Sequence, residues 1–121
     1  VWFAGGDQWT YIRYWRNTPV DSLINLGIRT RNLVVGGTSA GMAIQGQFYF
    51  SARNGTVTSP VALTNPYHPA VAVDSGRFLQ NQLLRNVITD THFDNPVRKG
   101  RLLVFMARLL QDSQLLPKAI A

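Results

Sequence analysis

Twice in the first third of this chain a short apolar run passes into a small-residue turn and then into a helix-compatible segment. Val1-Trp2-Phe3-Ala4 leads into Gly5-Gly6-Asp7-Gln8, with aromatics at 9, 11, 14 and 15 beyond it. Leu33-Val34-Val35 leads into Gly36-Gly37-Thr38-Ser39-Ala40-Gly41. Repeated strand, glycine turn and helix is the order of a doubly wound parallel sheet, so the expected fold class is α/β. In such sheets the turns leaving the carboxyl ends of the strands share one edge, and ligands bind there.

The second turn carries a serine in the frame G-x-S-x-G, as Gly37-Thr38-Ser39-Ala40-Gly41. In a nucleophile elbow the glycines flank the serine because its backbone is strained and neighbouring elements pass too close for a Cβ. The same pentapeptide also fits an ordinary glycine-rich turn. A phosphate-cradling loop would need G-x-x-x-x-G-K-[ST], and there is no lysine here.

Along the rest of the chain, Thr18 before Pro19 predicts a helix start, running through Leu23, Ile24 and Leu26 and stopping at Gly27. Ala40 to Gln45 continues as helix. Phe48-Tyr49-Phe50 then reads as extended, and the Asn54-Gly55 turn predicts that Thr56-Val57-Thr58 pairs back. Asn54-Gly55-Thr56 is also a glycosylation sequon, meaningful only along a eukaryotic secretory route. Asn65 to Gly76 reads as a long surface loop, with His68 structural or solvated. Phe78 to Leu84 is expected as a short helix and Asn86 to Thr89 as a strand, which delivers Asp90-Thr91-His92-Phe93 at its end. After the Asp94-Asn95-Pro96 turn, a helix begins at Arg98. It holds Leu102, Phe105, Met106, Leu109 and Leu110 on one face, with Arg101, Arg108 and Gln111 off it.

A serine hydroxyl needs a base within hydrogen-bond reach, most often a histidine. His92 is the candidate, on the same sheet edge as Ser39; the plainer reading is a histidine bonding locally beside a helix start. Asp90 and Asp94 could orient it, face substrate or cap the next helix. Backbone donors for an oxyanion are the N–H of Ala40 and that of Gly5 or Gly6. Arg98 and Arg101, three apart on a helix, could fork onto a carboxylate or form a solvated basic turn that opposes the helix dipole. Gln8 is placed for a ligand, with solvent as the default.

With 121 residues, 45% apolar, the chain is a single domain. Its 12 Lys and Arg against 6 acids give a net charge of +6. The cations are scattered, apart from Arg98-Lys99-Gly100-Arg101, which argues against a nucleic-acid footprint; such binding would weaken steeply with salt. No cysteine is present, which excludes disulfides and thiolate metal sites. No apolar stretch has the length of a membrane span. All the acids are Asp, so any catalytic Glu lies outside this sequence. Both ends fall in apolar runs, and the domain, residues 1–121, is expected to be incomplete at each.

Three segments together resemble the cyanophycinase and dipeptidase E family of serine peptidases: Phe3-Ala4-Gly5-Gly6-Asp7-Gln8, Gly37-Thr38-Ser39-Ala40-Gly41, and Asp90-Thr91-His92-Phe93 followed by Arg98-x-x-Arg101-Leu102. The likeness is greater to cyanophycinases, through Gly-Gly-Asp-Gln and the arginine pair. It implies a three-layer α/β/α sandwich with a mostly parallel sheet, related to class I glutamine amidotransferases. It also implies Ser39 as nucleophile, His92 as base, Ala40 and Gly6 at the oxyanion, and Gln8, Asp90, Thr91, Arg98 and Arg101 in the substrate pocket. Cyanophycinases release β-aspartyl-arginine dipeptides from a poly-aspartate backbone bearing arginine, so the expected substrate is β-aspartyl or a related small peptide. Thr91 stands where the family usually has Gln, and Pro96 where it has a further Arg; both changes bear on specificity. The family's third triad member, a Glu, would lie beyond Ala121. No cofactor, metal, nucleic acid or membrane is expected, and a homodimer is compatible. The compartment is open, with a secreted or periplasmic location slightly favoured over a cytoplasmic one. The alternative is a peptidase-like domain that has lost turnover and binds acidic or aspartyl peptides.

Overall fold

The computed structural model describes residues 1–76 and 78–121. Arg77, one of the scattered cations, lies outside them. The fold opens with β1 (Trp2–Phe3), α1 (Gln8–Trp15) and α2 (Pro19–Arg31). The Asp7 carboxylate, in the residues read only as a turn, caps α1 by accepting from the Trp9 N–H. Thr18 caps α2 with Pro19 in its first turn, as the sequence predicts. α2 does not stop at Gly27. It continues to Arg31 and ends on Asn32 in the left-handed region. Gly27 serves packing instead, because a Cβ there would sit 2.8 Å from the Leu33 side chain.

The second strand is also displaced from its expected place. β2 is Gly36–Gly37, and it pairs parallel with β1 in the register Trp2 with Gly36 and Phe3 with Gly37. Leu33 and Val35 of the expected Leu33–Val35 strand instead pack, partly buried, against the neighbouring core. The Trp2 ring lies over Gly36, where a side chain would collide with it.

After α3 (Ala40–Ala43), shorter than the expected helix to Gln45, comes β3 (Phe48–Phe50), buried at every residue. Thr56–Thr58 does not pair back. Val57 turns into the core at 3% exposure, and α4 (Ser59–Thr64) follows, with Pro60 in its first turn. The antiparallel partner of β3 is β4 (Val73–Ser75), inside the stretch expected as a surface loop. A 3₁₀ turn at Gln82–Leu84 stands where a helix from Phe78 was expected. β5 (Val87–Thr89) runs parallel to β3, α5 spans Lys99–Ser113, and β6 (Lys118–Ile120) runs parallel to β5. The larger sheet has the order β4-β3-β5-β6.

Alternation along β3 divides the interior. Phe48 and Phe50 join the core shared with α4 and α5, built around Ile88, Leu102 and Phe105. Tyr49 joins the other core, with Phe3, Ile12, Ile24 and Ile44 from the α1, α2 and α3 side. The chain is therefore an α/β protein with helices on both faces of mostly parallel strands, in three layers.

Two stability predictions arise here. The buried Tyr49 hydroxyl accepts a hydrogen bond from Arg16, and burial pushes the phenol above its ordinary value of 10.0. A raised native pKa contributes stability below the unfolded value, and that contribution is lost as pH climbs from there through the native one. Denaturant unfolding should show stability falling above about pH 10, and Tyr49→Phe should flatten that fall. Separately, a Cβ on Gly41 would overlap the Phe3 carbonyl oxygen. Gly41→Ala should destabilise by about 3 kcal/mol or more, the upper end of overpacking costs, since backbone and not a side chain must give. Urea titration of this variant measures it.

Candidate active site

Ser39 sits between β2 and α3 with φ 50° and ψ −119°, a conformation non-glycine residues rarely adopt. The surrounding turn fixes it. The Thr38 N–H donates to the Phe3 carbonyl at 3.1 Å, and the Ser39 carbonyl accepts from both Met42 and Ala43 at 2.9 Å. A Cβ on Gly37 would lie 2.5 Å from the Gly41 carbonyl carbon, so these two glycines permit the turn to close against itself. Gly5 faces Ser39 from the neighbouring loop, its Cβ position 3.4 Å from that of the serine. This is the strand, strained serine and helix arrangement that the G-x-S-x-G frame describes.

β5 delivers the histidine. His92 adopts φ 59°, and its Nε2 lies 2.9 Å from Ser39 Oγ. Its Nδ1 lies 3.0 Å from the Asn95 carbonyl oxygen. A carbonyl only accepts, so Nδ1 must carry the proton, which leaves Nε2 free to accept from the serine hydroxyl. The sequence offered Asp90 or Asp94 to orient this ring. A backbone carbonyl holds that position instead: the Asp90 oxygens are taken by Arg101, and Asp94 lies exposed in the turn that bridges to Val97.

Ser39 and His92 open onto a cleft of about 440 Å³, also lined by Gly6, Gln8, Thr91, Arg98 and Arg101. Neither Gly6 nor Ala40 donates its backbone N–H to a partner among the described residues. The Gln8 amide nitrogen donates to the Phe50 carbonyl at 3.3 Å, which anchors the side chain at the mouth. The Arg98 side chain, partly buried, has no hydrogen bond or ion pair among the described residues. Burial first, then the neighbouring Arg101 cation, lowers its pKa from the usual guanidinium value. Arg101 behaves differently from the exposed position that the helical spacing assigns it. It is fully buried, bonded twice to Asp90.

Asp7, Ala52, Gly55 and Thr56 also line the cleft, and the sequence reading did not place them there. The Asn54-Gly55 turn was visible, but nothing in its residues pointed at Ser39. Asn95 was read only as part of a turn. His68 is outside the cleft, and its Nδ1 accepts from the Ala70 N–H.

No family model matches the chain. Over 107 residues, 88% of its length, it is 32% identical to the curated cyanophycinases of Trichormus variabilis (strain ATCC 29413 / PCC 7937) and of Nostoc sp. (strain PCC 7120 / SAG 25.82 / UTEX 2576). It spans about a third, 32%, of the length of those relatives.

Proposed function

We propose that this chain, which belongs to a cyanophycinase-like family, carries the nucleophile and base of a serine peptidase acting on β-aspartyl or related small peptides. The observation that carries this reading is the 2.9 Å approach of Ser39 Oγ to His92 Nε2, with the serine held in a strained elbow and the opposite ring nitrogen on a carbonyl. Ser39 Oγ attacks the scissile amide carbonyl while His92 Nε2 takes its proton. The imidazolium is then stabilised through Nδ1–H on the Asn95 carbonyl. The Ala40 and Gly6 N–H groups receive the oxyanion, where donors already in place are most effective. The tetrahedral intermediate collapses by expelling the amine, which leaves with the proton from His92. Water, deprotonated by the same ring, then hydrolyses the acyl-enzyme. Arg98 meets an anionic group of the substrate, and Gln8 and Thr91 bound the pocket.

No helix among the described residues is long and apolar enough to cross a membrane, and the partner in this reading is a peptide in solution. A serine-directed phosphonate should label the complete protein on Ser39, located by peptide mass mapping, and the protein should release dipeptides from a β-aspartyl polymer. Labelling elsewhere, or none, would remove the mechanism. One observation favours the binding-only alternative: the group on His92 Nδ1 is a neutral carbonyl and not a carboxylate. That alternative predicts peptide binding with neither labelling nor release.

A further inference from the structure

Asp90 and Arg101 stand at the two ends of the segment that carries His92. Asp90 follows β5, Arg101 lies in the first turn of α5, and the loop between them holds the histidine at φ 59°. Both side chains are 1% exposed. They meet twice, Nε to Oδ2 at 2.8 Å and Nη2 to Oδ1 at 2.5 Å. Nη1 of Arg101 donates to the Val57 carbonyl at 3.2 Å, and the guanidinium carbon lies 4.7 Å from the centre of the Phe50 ring. The backbone of the same junction is gripped from α4: the Arg101 N–H donates to Ser59 Oγ, and that hydroxyl donates to the Val97 carbonyl.

A guanidinium whose fork is filled by an internal carboxylate has no bidentate face left for a substrate carboxylate. Both Arg98 and Arg101 line the cleft. Arg101 is fully buried with its fork on Asp90, whereas the Arg98 side chain has no partner among the described residues and keeps its fork free. We infer that Asp90 and Arg101 form an internal clasp that positions His92 against Ser39, leaving Arg98 as the arginine that receives the substrate anion. The clasp is needed because a left-handed histidine backbone holds its strain only where the surroundings over-determine it. Its catalytic consequence rests on the peptidase reading above. Its structural consequence does not.

Three variants of the complete protein test this: Asp90→Asn with Arg101→Gln, which removes both charges at similar volume; Arg101→Lys, which keeps the charge but not the fork; and Arg98→Gln. Three readouts are taken: the rate of Ser39 labelling by a small neutral phosphonate, kcat and KM on a β-aspartyl dipeptide, and the His92 Hδ1 resonance in nitrogen-edited NMR. The double variant should label and turn over about 10- to 100-fold more slowly, as expected for a misplacement near 1 Å, with KM little changed and the Hδ1 resonance lost to exchange. Arg101→Lys should fall between it and wild type, and decides by the same readouts if the double variant does not fold. Arg98→Gln should instead raise KM about tenfold or more. The inference is overturned if the Arg101 variants raise KM as Arg98→Gln does while the labelling rate and Hδ1 stay as in wild type. A wild type that neither labels nor turns over sinks the peptidase reading alone, and the Hδ1 resonance still decides the clasp.

Discussion

Ser39→Ala in the complete protein is expected to lower kcat on a β-aspartyl dipeptide by about four to six orders of magnitude, with little change in KM. The size follows from what the hydroxyl supplies. In the proposed mechanism it is the attacking atom, so its removal would leave only water, the oxyanion donors and substrate binding to lower the barrier. Alanine retains the Cβ, so the elbow keeps its φ near 50° and the turn hydrogen bonds to Phe3, Met42 and Ala43 remain in place. The variant should therefore be folded, and circular dichroism and the urea midpoint should match wild type. His92→Ala should cost nearly as much, and the double variant little more, because the pair acts as one unit. Steady-state assays on the three variants check this. A Ser39→Ala protein that keeps a tenth of the wild-type rate would rule the serine out as nucleophile.

The largest stability effect is expected at Arg101. Arg101→Met leaves the Asp90 carboxylate enclosed at 1% exposure with its ion partner gone, which should cost about 3–5 kcal/mol. The methionine itself suits the surroundings, beside the stacked Phe50 and Phe105 rings that the guanidinium carbon approaches at 4.7 and 5.8 Å. The loss is therefore electrostatic in origin, and Asp90→Leu combined with Arg101→Met should recover most of it, since replacing both members of a buried pair by apolar groups is often neutral. Guanidinium titrations of the single and double variants measure both effects. Equal losses in the two would show that packing, and not the unpaired carboxylate, carries the penalty. Recovered stability need not bring recovered catalysis, because the apolar pair fills the space without tying β5 to α5 by directed bonds.

The elements that the sequence announced are those with a local cause. Thr18 caps α2 because its oxygen serves the next turn, and β5 and α5 follow from unbroken apolar spacing. Where the structure departs from the reading, the cause lies far along the chain. Leu33–Val35 has the composition of a strand, yet the ladder forms at Gly36–Gly37, where no side chain keeps β1 at a distance. α4 begins after Thr58 with Pro60 in its first turn, as α2 begins after Thr18 with Pro19, but Thr58 makes no side-chain cap bond. The Asn54-Gly55 turn beside it suggested a hairpin instead. β4 is short and polar, and only its pairing with β3 makes it a strand. Ser39, His92 and Gln8, read at strand ends, and Arg98 and Arg101, read at a helix start, line one cleft. Arg101 could not be read correctly from helical spacing, since what buries it is a carboxylate eleven residues away. Asn95 acts through its backbone, and a backbone acceptor leaves no signature in a list of side chains.

The contact between the Phe3 carbonyl and the Gly37 and Gly41 backbone has one more consequence. The spacing between the loop that offers Gly6 and the turn that offers Ser39 is set by main chain against main chain. Mutational drift in the cleft wall, at Gln8, Thr56 or Thr91, can therefore alter what the cleft admits without moving Ser39 relative to the Gly6 and Ala40 N–H groups. Divergence among homologues of this fold should accordingly concentrate in those wall positions, while the two glycines admit almost no replacement.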